Sequence, residues 1–252
     1  MNETTTALAN RVALVTGASS GLGRATALAL ARAGASVALV ARSASELATV
    51  ADELRGNDRP ALPIACDLAD PDGLADAVRR TRDELGPLAV LVNAAGTDAP
   101  GPVSELSVQA WDRVLAVNLR AVFLLSRLAV PDMIAAGEGT IINVSSVAGK
   151  RGWANASAYC ASKFALTGFT QALGAEVRPH GVRACLVYPG AMATQWGTWP
   201  AEERRDERPA RSPADALPPE TVAEFIAWIA AAPAHLVLDE AIVTPLREQG
   251  YP

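Results

Sequence analysis

Short apolar runs alternate along this chain with longer segments in which apolar residues recur every three or four positions. The first run, 12–16, is short and apolar, as in a buried strand, and the segment that follows has helical periodicity up to Gly34. Further strands are predicted at 37–41, 61–66, 88–93, 140–146, 182–188 and 241–244. Strands that alternate with helices in this way predict an α/β fold. We therefore expect a single domain over 1–252, with about seven mostly parallel strands and helices on both faces.

The longest helical pattern covers 106–136, where Pro131 is expected to bend or break the helix. Asn118 lies inside this pattern between apolar neighbours. An amide there has poor helix propensity and needs partners, so Asn118 is either a structural bridge or part of a proton relay. A second helix is predicted to carry Tyr159 and end near Arg178, and a last one covers 219–232.

Two segments do not follow the alternation. The first ten residues are polar, and we expect a flexible N-terminus over 1–10. Residues 195–217 are rich in proline and mixed charge. A loop of that length is predicted to be a substrate lid, the alternative being a merely solvated segment.

Charge and composition exclude several classes of function. The net charge is −5 and the pI about 5.2, without a basic stripe, so nucleic acid is not the expected partner. No apolar run is long enough to span a bilayer, and the N-terminus has no apolar signal segment, so a cytoplasmic protein is predicted. Three widely spaced cysteines and two isolated histidines predict neither disulfides nor a metal site.

A glycine-rich turn follows the first predicted strand and leads into the first helix. Its glycines are Gly17, Gly21 and Gly23, separated by Ser19, Ser20 and Leu22 among others. The backbone N–H groups of such a turn, together with the positive end of the helix, suit a pyrophosphate. The spacing differs from G-x-G-x-x-G, so the prediction depends on the position of the turn at the first strand–helix junction.

The end of the second predicted strand indicates which dinucleotide would bind. An Asp or Glu there would bind the ribose 2′-hydroxyl of NAD, but this chain has Ala41, Arg42 and Ser43. No carboxylate repels a 2′-phosphate, and the Arg42 guanidinium could hold one. The sequence thus favours NADP(H) over NAD(H). The alternative is an ordinary arginine at a helix start.

Tyr159 and Lys163 are four residues apart in a predicted helix, which places them on one face. A nearby ammonium favours the phenolate, so we expect Lys163 to lower the pKa of Tyr159 and make it a useful acid and base. Lys163 is one of only two lysines beside twenty arginines. The alternative is a solvated helix face.

Together these segments resemble the short-chain dehydrogenase/reductase family, over nearly all of 11–245. The motifs that carry the resemblance, in family order, are Thr16-Gly17-x-x-x-Gly21-x-Gly23, Asn93-Ala94-Ala95-Gly96, Asn118, Ser146, Tyr159-x-x-x-Lys163 and Pro189-Gly190. The resemblance implies a Rossmann-like fold and an oxidoreductase that interconverts a carbonyl and a secondary alcohol. It also implies a homotetramer in which the helices at 106–136 and 156–178 pair between subunits.

The resemblance also implies roles for individual residues. Tyr159 would be the general acid or base, Ser146 would bind the substrate oxygen, Lys163 would bind the nicotinamide ribose, and Asn118 would anchor a water. Cofactor contacts would come from Gly17, Ser19, Ser20, Gly21, Leu22, Gly23, Arg42, Ser43, Asp67, Leu68, Asn93, Ala94, Gly96, Tyr159, Lys163, Pro189, Gly190, Met192 and Thr194. Of these, Asp67 and Leu68 would border adenine, and the last four would contact nicotinamide.

The substrate is less constrained by the sequence. Trp153, Met192, Trp196 and Trp199 would give an apolar pocket wall suited to ketones or aromatic alcohols. The segment 238–245 looks more like the branch acting on serine and 3-hydroxy acids, and Lys150 and Arg151 could attract a carboxylate. Alternatives to a carbonyl reductase are this serine-type or 3-hydroxy acid dehydrogenase, a non-catalytic NADP-binding regulator, and an epimerase.

Overall fold

The computed structural model of the protein describes residues 7–194 and 216–247. The strands within these ranges are β1 (Val12–Thr16), β2 (Ser36–Ala41), β3 (Ala61–Ala65), β4 (Leu88–Asn93), β5 (Gly139–Val144), β6 (Val182–Pro189) and β7 (Glu240–Val243). They form one sheet in the order β3-β2-β1-β4-β5-β6-β7, and every pairing is parallel. The predicted Rossmann-like α/β fold is thereby confirmed.

The helices cross over between successive strands. They are α1 (Gly21–Arg32), α2 (Ala44–Arg55), α3 (Pro71–Leu85), α4 (Val108–Leu115), α5 (Ala121–Ala136), α6 (Ser157–Val177) and α7 (Pro219–Ala231). A five-residue π-helical segment, Ala116–Arg120, joins α4 to α5. One buried cluster lies where α1, α2 and α7 cover the sheet, and a second lies under α3, α5 and α6.

The strand order reverses direction between β1 and β4. The chain first moves outward through β2 and β3, then returns to β4 on the other side of β1. Ligands of open α/β sheets bind in the crevice at the carboxyl ends of the strands where the order reverses. The residues that follow β1, β2, β4, β5 and β6 therefore surround one crevice. Most of the predicted site residues belong to these segments or to the helix starts beside them, whereas Asp67 and Leu68 follow β3 and Asn118 lies in the π-helical segment.

Pro131 does not break the long helix that spans 108–136. Helix α5 continues through it, and the irregularity lies instead at the π-helical segment that contains Asn118. Arg82 of α3 braces the turn around Pro131, since its guanidinium donates to the Leu128 carbonyl at 2.5 Å and to Asp132 at 2.6 Å. By length and composition this helical segment could cross a membrane, and 44% of its most apolar window is buried inside the protein.

The chain ends differ in part from the sequence-based expectation. In the N-terminal segment expected to be flexible, Leu8 is only 3% exposed, and its N–H donates to the Ala33 carbonyl at 2.8 Å. Residues 1–6 lie outside the described part. So does most of the predicted substrate lid at 195–217, since only 216 and 217 are described. Leu217 pairs through its backbone with Ala191 and Ala193, directly after β6.

Candidate active site

Tyr159 and Lys163 lie on consecutive turns at the start of α6, as their spacing predicts. The Lys163 ammonium is 5.6 Å from the centre of the Tyr159 ring and donates to the Val144 carbonyl at the end of β5, at 2.8 Å. The lysine side chain is only 4% exposed. Burial penalises its charged form and lowers the pKa of Lys163 to about 8. The site thus holds a buried cation that titrates near neutral pH.

The pKa of Tyr159 lies above its ordinary value, contrary to the sequence-based expectation. Burial of the ring dominates and raises this pKa, whereas a hydrogen bond with Ser146 lowers it. Lys163 does not lower it here, because the ammonium is directed at the carbonyl of Val144. The Tyr159 phenol accordingly keeps its proton at neutral pH.

Ser146 lies just beyond β5, because the strand ends two residues earlier than predicted. The strand stops at Val144, and Ser146 caps a short 3₁₀ turn over Val147–Gly149, where its hydroxyl accepts from the Ala148 N–H at 3.1 Å. Gly149 is required in this turn because a Cβ atom would lie 2.6 Å from Ser145 Oγ. The turn therefore fixes the Ser146 hydroxyl beside the Tyr159 ring.

Asn118 bridges three segments around the catalytic helix. Its Oδ1 accepts from the Thr97 N–H, and its Nδ2 donates to the Thr97 carbonyl, both at 2.8 Å. The same Nδ2 donates to Ser162 Oγ at 3.0 Å, and Ser162 Oγ in turn donates to the Tyr159 carbonyl at 2.7 Å. Of the two sequence-based interpretations, the side-chain geometry supports the structural bridge.

The glycine-rich turn is built for close backbone approach. Gly17 has a φ of +70°, and a Cβ at Gly23 would lie 2.2 Å from the Gly17 carbonyl oxygen. Ser20 precedes α1 without a side-chain capping bond, and the first turn of α1 contains no acidic residue. A helix start of this kind presents backbone N–H groups and positive potential to an anion. The turn therefore fits a diphosphate.

Arg42 and Ser43 follow β2 at the same edge of the sheet. Ser43 caps α2 by accepting from the Glu46 N–H at 3.4 Å, so Arg42 lies just before the helix rather than in its first turn. An arginine in the first turn of a helix would be disfavoured by the helix dipole unless an anion were bound there, and this reasoning does not apply to Arg42. The Arg42 side chain is exposed and donates no hydrogen bond within the described residues, although its charge helps to lower the pKa of Asp67.

The adenine-side residues already have partners of their own. Asp67, which follows β3, accepts from the Ala69 N–H at 2.9 Å and pairs with Arg113 at 2.9 Å. The backbone bond is the largest cause of the lowered pKa of Asp67, with Arg113 contributing less. The next residue, Leu68, is buried in the core. Any adenine contact by Asp67 would therefore share this carboxylate with Arg113.

The residues after β4 divide between the core and the crevice. The Asn93 side chain is 2% exposed and donates to Asn143 of β5 at 2.8 Å, so it points along the sheet rather than toward a ribose. The N–H of Ala94 donates to Thr16 Oγ1 at 3.1 Å. Gly96 is exposed, and a Cβ there would lie 4.0 Å from Lys163 Nζ. Gly96 thus lies next to Lys163.

The segment after β6 closes over the glycine-rich turn. Pro189 ends the strand, and the Gly190 N–H donates to the Val243 carbonyl at 2.8 Å. Met192 packs on the core, and the Thr194 methyl group lies 3.4 Å from where a Cβ of Gly21 would be. These predicted nicotinamide-side residues accordingly flank the same crevice as the diphosphate turn.

Only part of the predicted substrate wall can be located. Trp153 is 39% exposed beside the crevice, whereas Trp196 and Trp199 lie outside the described residues. Lys150 cannot serve an incoming carboxylate as expected, because it is paired with Glu240 and stacked 4.5 Å from the centre of the Tyr188 ring. Within the described ranges no cluster of three metal-binding side chains occurs, and the three cysteines are buried without disulfides.

The sequence analysis did not single out Asp98. It lies two residues after the N-A-A-G segment, is half-buried, and raises the pKa of both Tyr159 and Cys160 through its negative charge. The only signal in the sequence was a carboxylate in a loop at the carboxyl end of a predicted strand. Such positions usually border the ligand crevice.

Known proteins resemble this chain along most of its length. A cis-4-hydroxycyclohexanecarboxylate dehydrogenase from Sinomonas cyclohexanicum is 40% identical over 92% of this chain and 94% of its own. A cyclohexanol dehydrogenase from Acinetobacter sp. is 38% identical over 73% of this chain and 74% of its own. The crystal structure of a metagenomic short-chain oxidoreductase in complex with NADP is 35% identical, with a TM-score of 0.83, covering 96% of this chain and all of that one.

The model of the short chain dehydrogenase family matches residues 11–204. That range contains the glycine-rich turn, Ser146, Tyr159 and Lys163, the residues that form the crevice described above. The chain therefore belongs to the short-chain dehydrogenase/reductase family.

Proposed function

We propose that this protein is an NADP(H)-dependent oxidoreductase that interconverts a carbonyl and a secondary alcohol, with Tyr159 as general acid and base. The observation that carries the proposal is the convergence of Tyr159, Ser146 and Lys163 at the carboxyl end of β5, beside the crevice where the strand order reverses. The relatives named above are dehydrogenases of alcohols, which supports a CH–OH substrate.

The residues of the crevice fit a dinucleotide. The family uses NAD(P), which supplies or accepts the hydride when bound. The turn from Gly17 to Gly23 would hold its diphosphate, because only glycines allow the backbone to approach so closely. Arg42 and Ser43 would hold a 2′-phosphate, since the end of β2 lacks the carboxylate that selects NAD. The NADP complex of a related enzyme supports this assignment.

The protein side of the reaction follows from the states of the three side chains. Because burial keeps the Tyr159 phenol protonated, it would donate that proton to the substrate oxygen during carbonyl reduction and take it back during oxidation. Ser146 would hydrogen-bond the same oxygen and stabilise charge that develops there. Lys163 would supply a nearby positive charge, and Asn118 would hold α6 in place through Ser162.

Two alternatives receive less support. A non-catalytic NADP-binding regulator has no need of a serine, a tyrosine and a lysine converging on one point of the crevice. A dehydrogenase of serine or 3-hydroxy acids needs a cation for the substrate carboxylate, and Lys150 is already paired with Glu240. We therefore favour a neutral secondary alcohol or ketone, as the name of the related cyclohexanol dehydrogenase indicates for that enzyme, over a hydroxy acid such as that of the related cis-4-hydroxycyclohexanecarboxylate dehydrogenase.

The test is a comparison of Tyr159→Phe with Tyr188→Phe. Tyr188 is also a buried tyrosine, but its hydroxyl donates to Thr167 at 3.2 Å and is not part of the proposed site. With cyclohexanone and NADPH, Tyr159→Phe is expected to lose about 100-fold or more of kcat, whereas Tyr188→Phe keeps it. NADPH binding, followed by fluorescence, should survive in both. Retained reduction by Tyr159→Phe would refute the proposed role.

A further inference from the structure

The loop that carries Asp98 is fixed to the catalytic region at both ends. On one side, the backbone of Thr97 is held by two hydrogen bonds to Asn118. On the other, the Gly101 N–H donates to the Asn155 carbonyl at 2.9 Å, and Gly101 forms a bridge with Ala156, directly before α6. Asp98 therefore lies between two backbone positions, Thr97 and Gly101, which are each hydrogen-bonded to a residue near Tyr159.

The charge of Asp98 is not balanced by a neighbouring cation. Its Oδ1 accepts from the Ala99 N–H at 2.7 Å, and no ion pair of Asp98 occurs within residues 7–194 and 216–247. The carboxyl group is half-buried, and burial raises its pKa above the ordinary value. A half-buried carboxylate without a partner cation favours an incoming hydrogen-bond donor.

Asp98 lies beside the proposed catalytic groups, since a Cβ at Gly96 would lie 4.0 Å from Lys163 Nζ and the Gly101 N–H donates to Asn155, two residues before α6. Its negative charge raises the pKa of Tyr159 and also that of Cys160, the next residue of α6. The two lysines of this region are directed elsewhere, since Lys163 donates to the Val144 carbonyl and Lys150 is paired with Glu240. A substrate bound against Tyr159 would consequently meet negative rather than positive charge on the Asp98 side.

We infer that Asp98 is a specificity residue, which selects substrates with a hydrogen-bond donor on the Asp98 side of the crevice and disfavours substrates with a carboxylate there. This inference rests on the proposed function and adds its substrate class, hydroxylated ketones and their alcohols. Asp98 accepts a hydrogen bond from the substituent and takes no part in proton transfer. A carboxylate in the same place would face like charge in a partly desolvated site.

Three ketones that share one ring test the inference. These are cyclohexanone, 4-hydroxycyclohexanone and 4-oxocyclohexanecarboxylate, which carry at the fourth carbon no substituent, a hydroxyl and a carboxylate. For the unmodified protein with NADPH, we expect kcat/KM to be highest for the hydroxyketone and lowest for the carboxylate.

The decisive variant is Asp98→Asn, because Asn keeps an oxygen that can accept from the Ala99 N–H. In this variant the carboxylate-to-cyclohexanone ratio of kcat/KM should rise at least about tenfold. Asp98→Glu should retain the original order of the three ketones. Asp112→Asn removes an exposed charge from α4 and should leave every ratio unchanged.

The outcomes separate this inference from the proposed function. The two ratios of interest are kcat/KM for the hydroxyketone over cyclohexanone and kcat/KM for the carboxylate over cyclohexanone. If cyclohexanone is reduced but Asp98→Asn leaves both ratios within twofold of the unmodified protein, the inference is wrong and the proposed function stands. If none of the ketones is reduced by the unmodified protein, the proposed function fails and the inference falls with it. A thermal melt of Asp98→Asn that matches the unmodified protein shows that a changed ratio is not an effect of misfolding.

Discussion

The Asn118 side-chain amide donates to Ser162 Oγ at 3.0 Å, and this bond ties the π-helical segment to the helix that carries Tyr159 and Lys163. Asn118 is 1% exposed, and both donors and one acceptor of its amide are satisfied by Thr97 and Ser162. A helix interior rarely accommodates an asparagine without such partners. The π-helical segment therefore has a specific function, which is to place this amide between the loop of Thr97 and α6.

Asn118→Ala should destabilise the protein by about 3 kcal/mol, because three buried hydrogen bonds are lost and their partners stay buried. Ser162→Ala removes the bond from Asn118 and the bond to the Tyr159 carbonyl but leaves both Thr97 bonds, so it should cost about 2 kcal/mol. Urea unfolding measures both. An equal loss in free energy of unfolding for the two variants would contradict a contribution of the Thr97 hydrogen bonds to stability.

The buried ammonium of Lys163 should make stability depend on pH. Its pKa is lowered to about 8 by burial, whereas the unfolded chain has the ordinary value near 10.5. Between these values the unfolded state holds a proton that the folded state has lost, so the free energy of unfolding rises with pH. Relative to Lys163→Met, the unmodified protein should gain about 2 kcal/mol between about pH 8 and about pH 10.

Lys150→Met is the control for that experiment. The hydrogen bond to Glu240 raises the pKa of Lys150, so both folded and unfolded states keep its proton in the same pH window. The difference between Lys150→Met and the unmodified protein should thus stay flat from about pH 8 to about pH 10. If the difference in free energy of unfolding between Lys163→Met and the unmodified protein is also flat over this pH range, the Lys163 ammonium is not desolvated.

The fold and the shared helix face of Tyr159 and Lys163 were predictable from the sequence because both follow from short-range periodicity. A spacing of four residues places Tyr159 and Lys163 on one face of a helix, independently of the rest of the chain. The direction of the Lys163 ammonium was not predictable, because its acceptor is a carbonyl of β5, nineteen positions away. The raised pKa of Tyr159 depends likewise on burial by distant segments, and the pairing of Lys150 with Glu240 spans ninety positions.

Two glycines in helices offer a matched test of the diphosphate turn. A Cβ at Gly23 would lie 2.2 Å from the Gly17 carbonyl oxygen, whereas a Cβ at Gly174 of α6 would make ordinary contacts at 3.8 Å and 3.9 Å. Gly23→Ala should cost roughly 3 kcal/mol and weaken NADPH binding. Gly174→Ala should stabilise α6 by about 0.5 kcal/mol. Calorimetry and NADPH fluorescence titration measure these effects, and unchanged binding by Gly23→Ala would exclude the turn as the diphosphate site.

The predicted tetramer should depend on apolar side chains that the helices expose. Phe123 of α5 is 45% exposed and Phe164 of α6 is 47% exposed. Exposed aromatics on neighbouring helices are typical of subunit interfaces. Phe164→Asp should reduce the mass measured by light scattering, whereas Thr49→Asp on the exposed side of α2 should not. A monomeric unmodified protein would refute the tetramer itself.

The choice of dinucleotide is the prediction that depends most on one side chain. Arg42 is exposed at the end of β2 and lacks a partner carboxylate within 4 Å in the described part of the chain. Arg42→Asp removes the cation that would hold a 2′-phosphate and adds a group that repels it. The ratio of kcat/KM for NADPH over NADH should fall by at least about 100-fold.

The control for this substitution makes the same charge change at the amino ends of the strands, opposite the carboxyl ends where Arg42 lies. Arg59 precedes β3, so Arg59→Asp places its carboxylate far from the carboxyl ends of the strands. Its cofactor ratio should match that of the unmodified protein, because an exposed charge beyond about 10 Å is screened at physiological salt. If Arg42→Asp changed the ratio no more than Arg59→Asp, the phosphate would have to be held by another group. Ser43 would then be the next candidate, since it is the neighbouring donor at the same strand end.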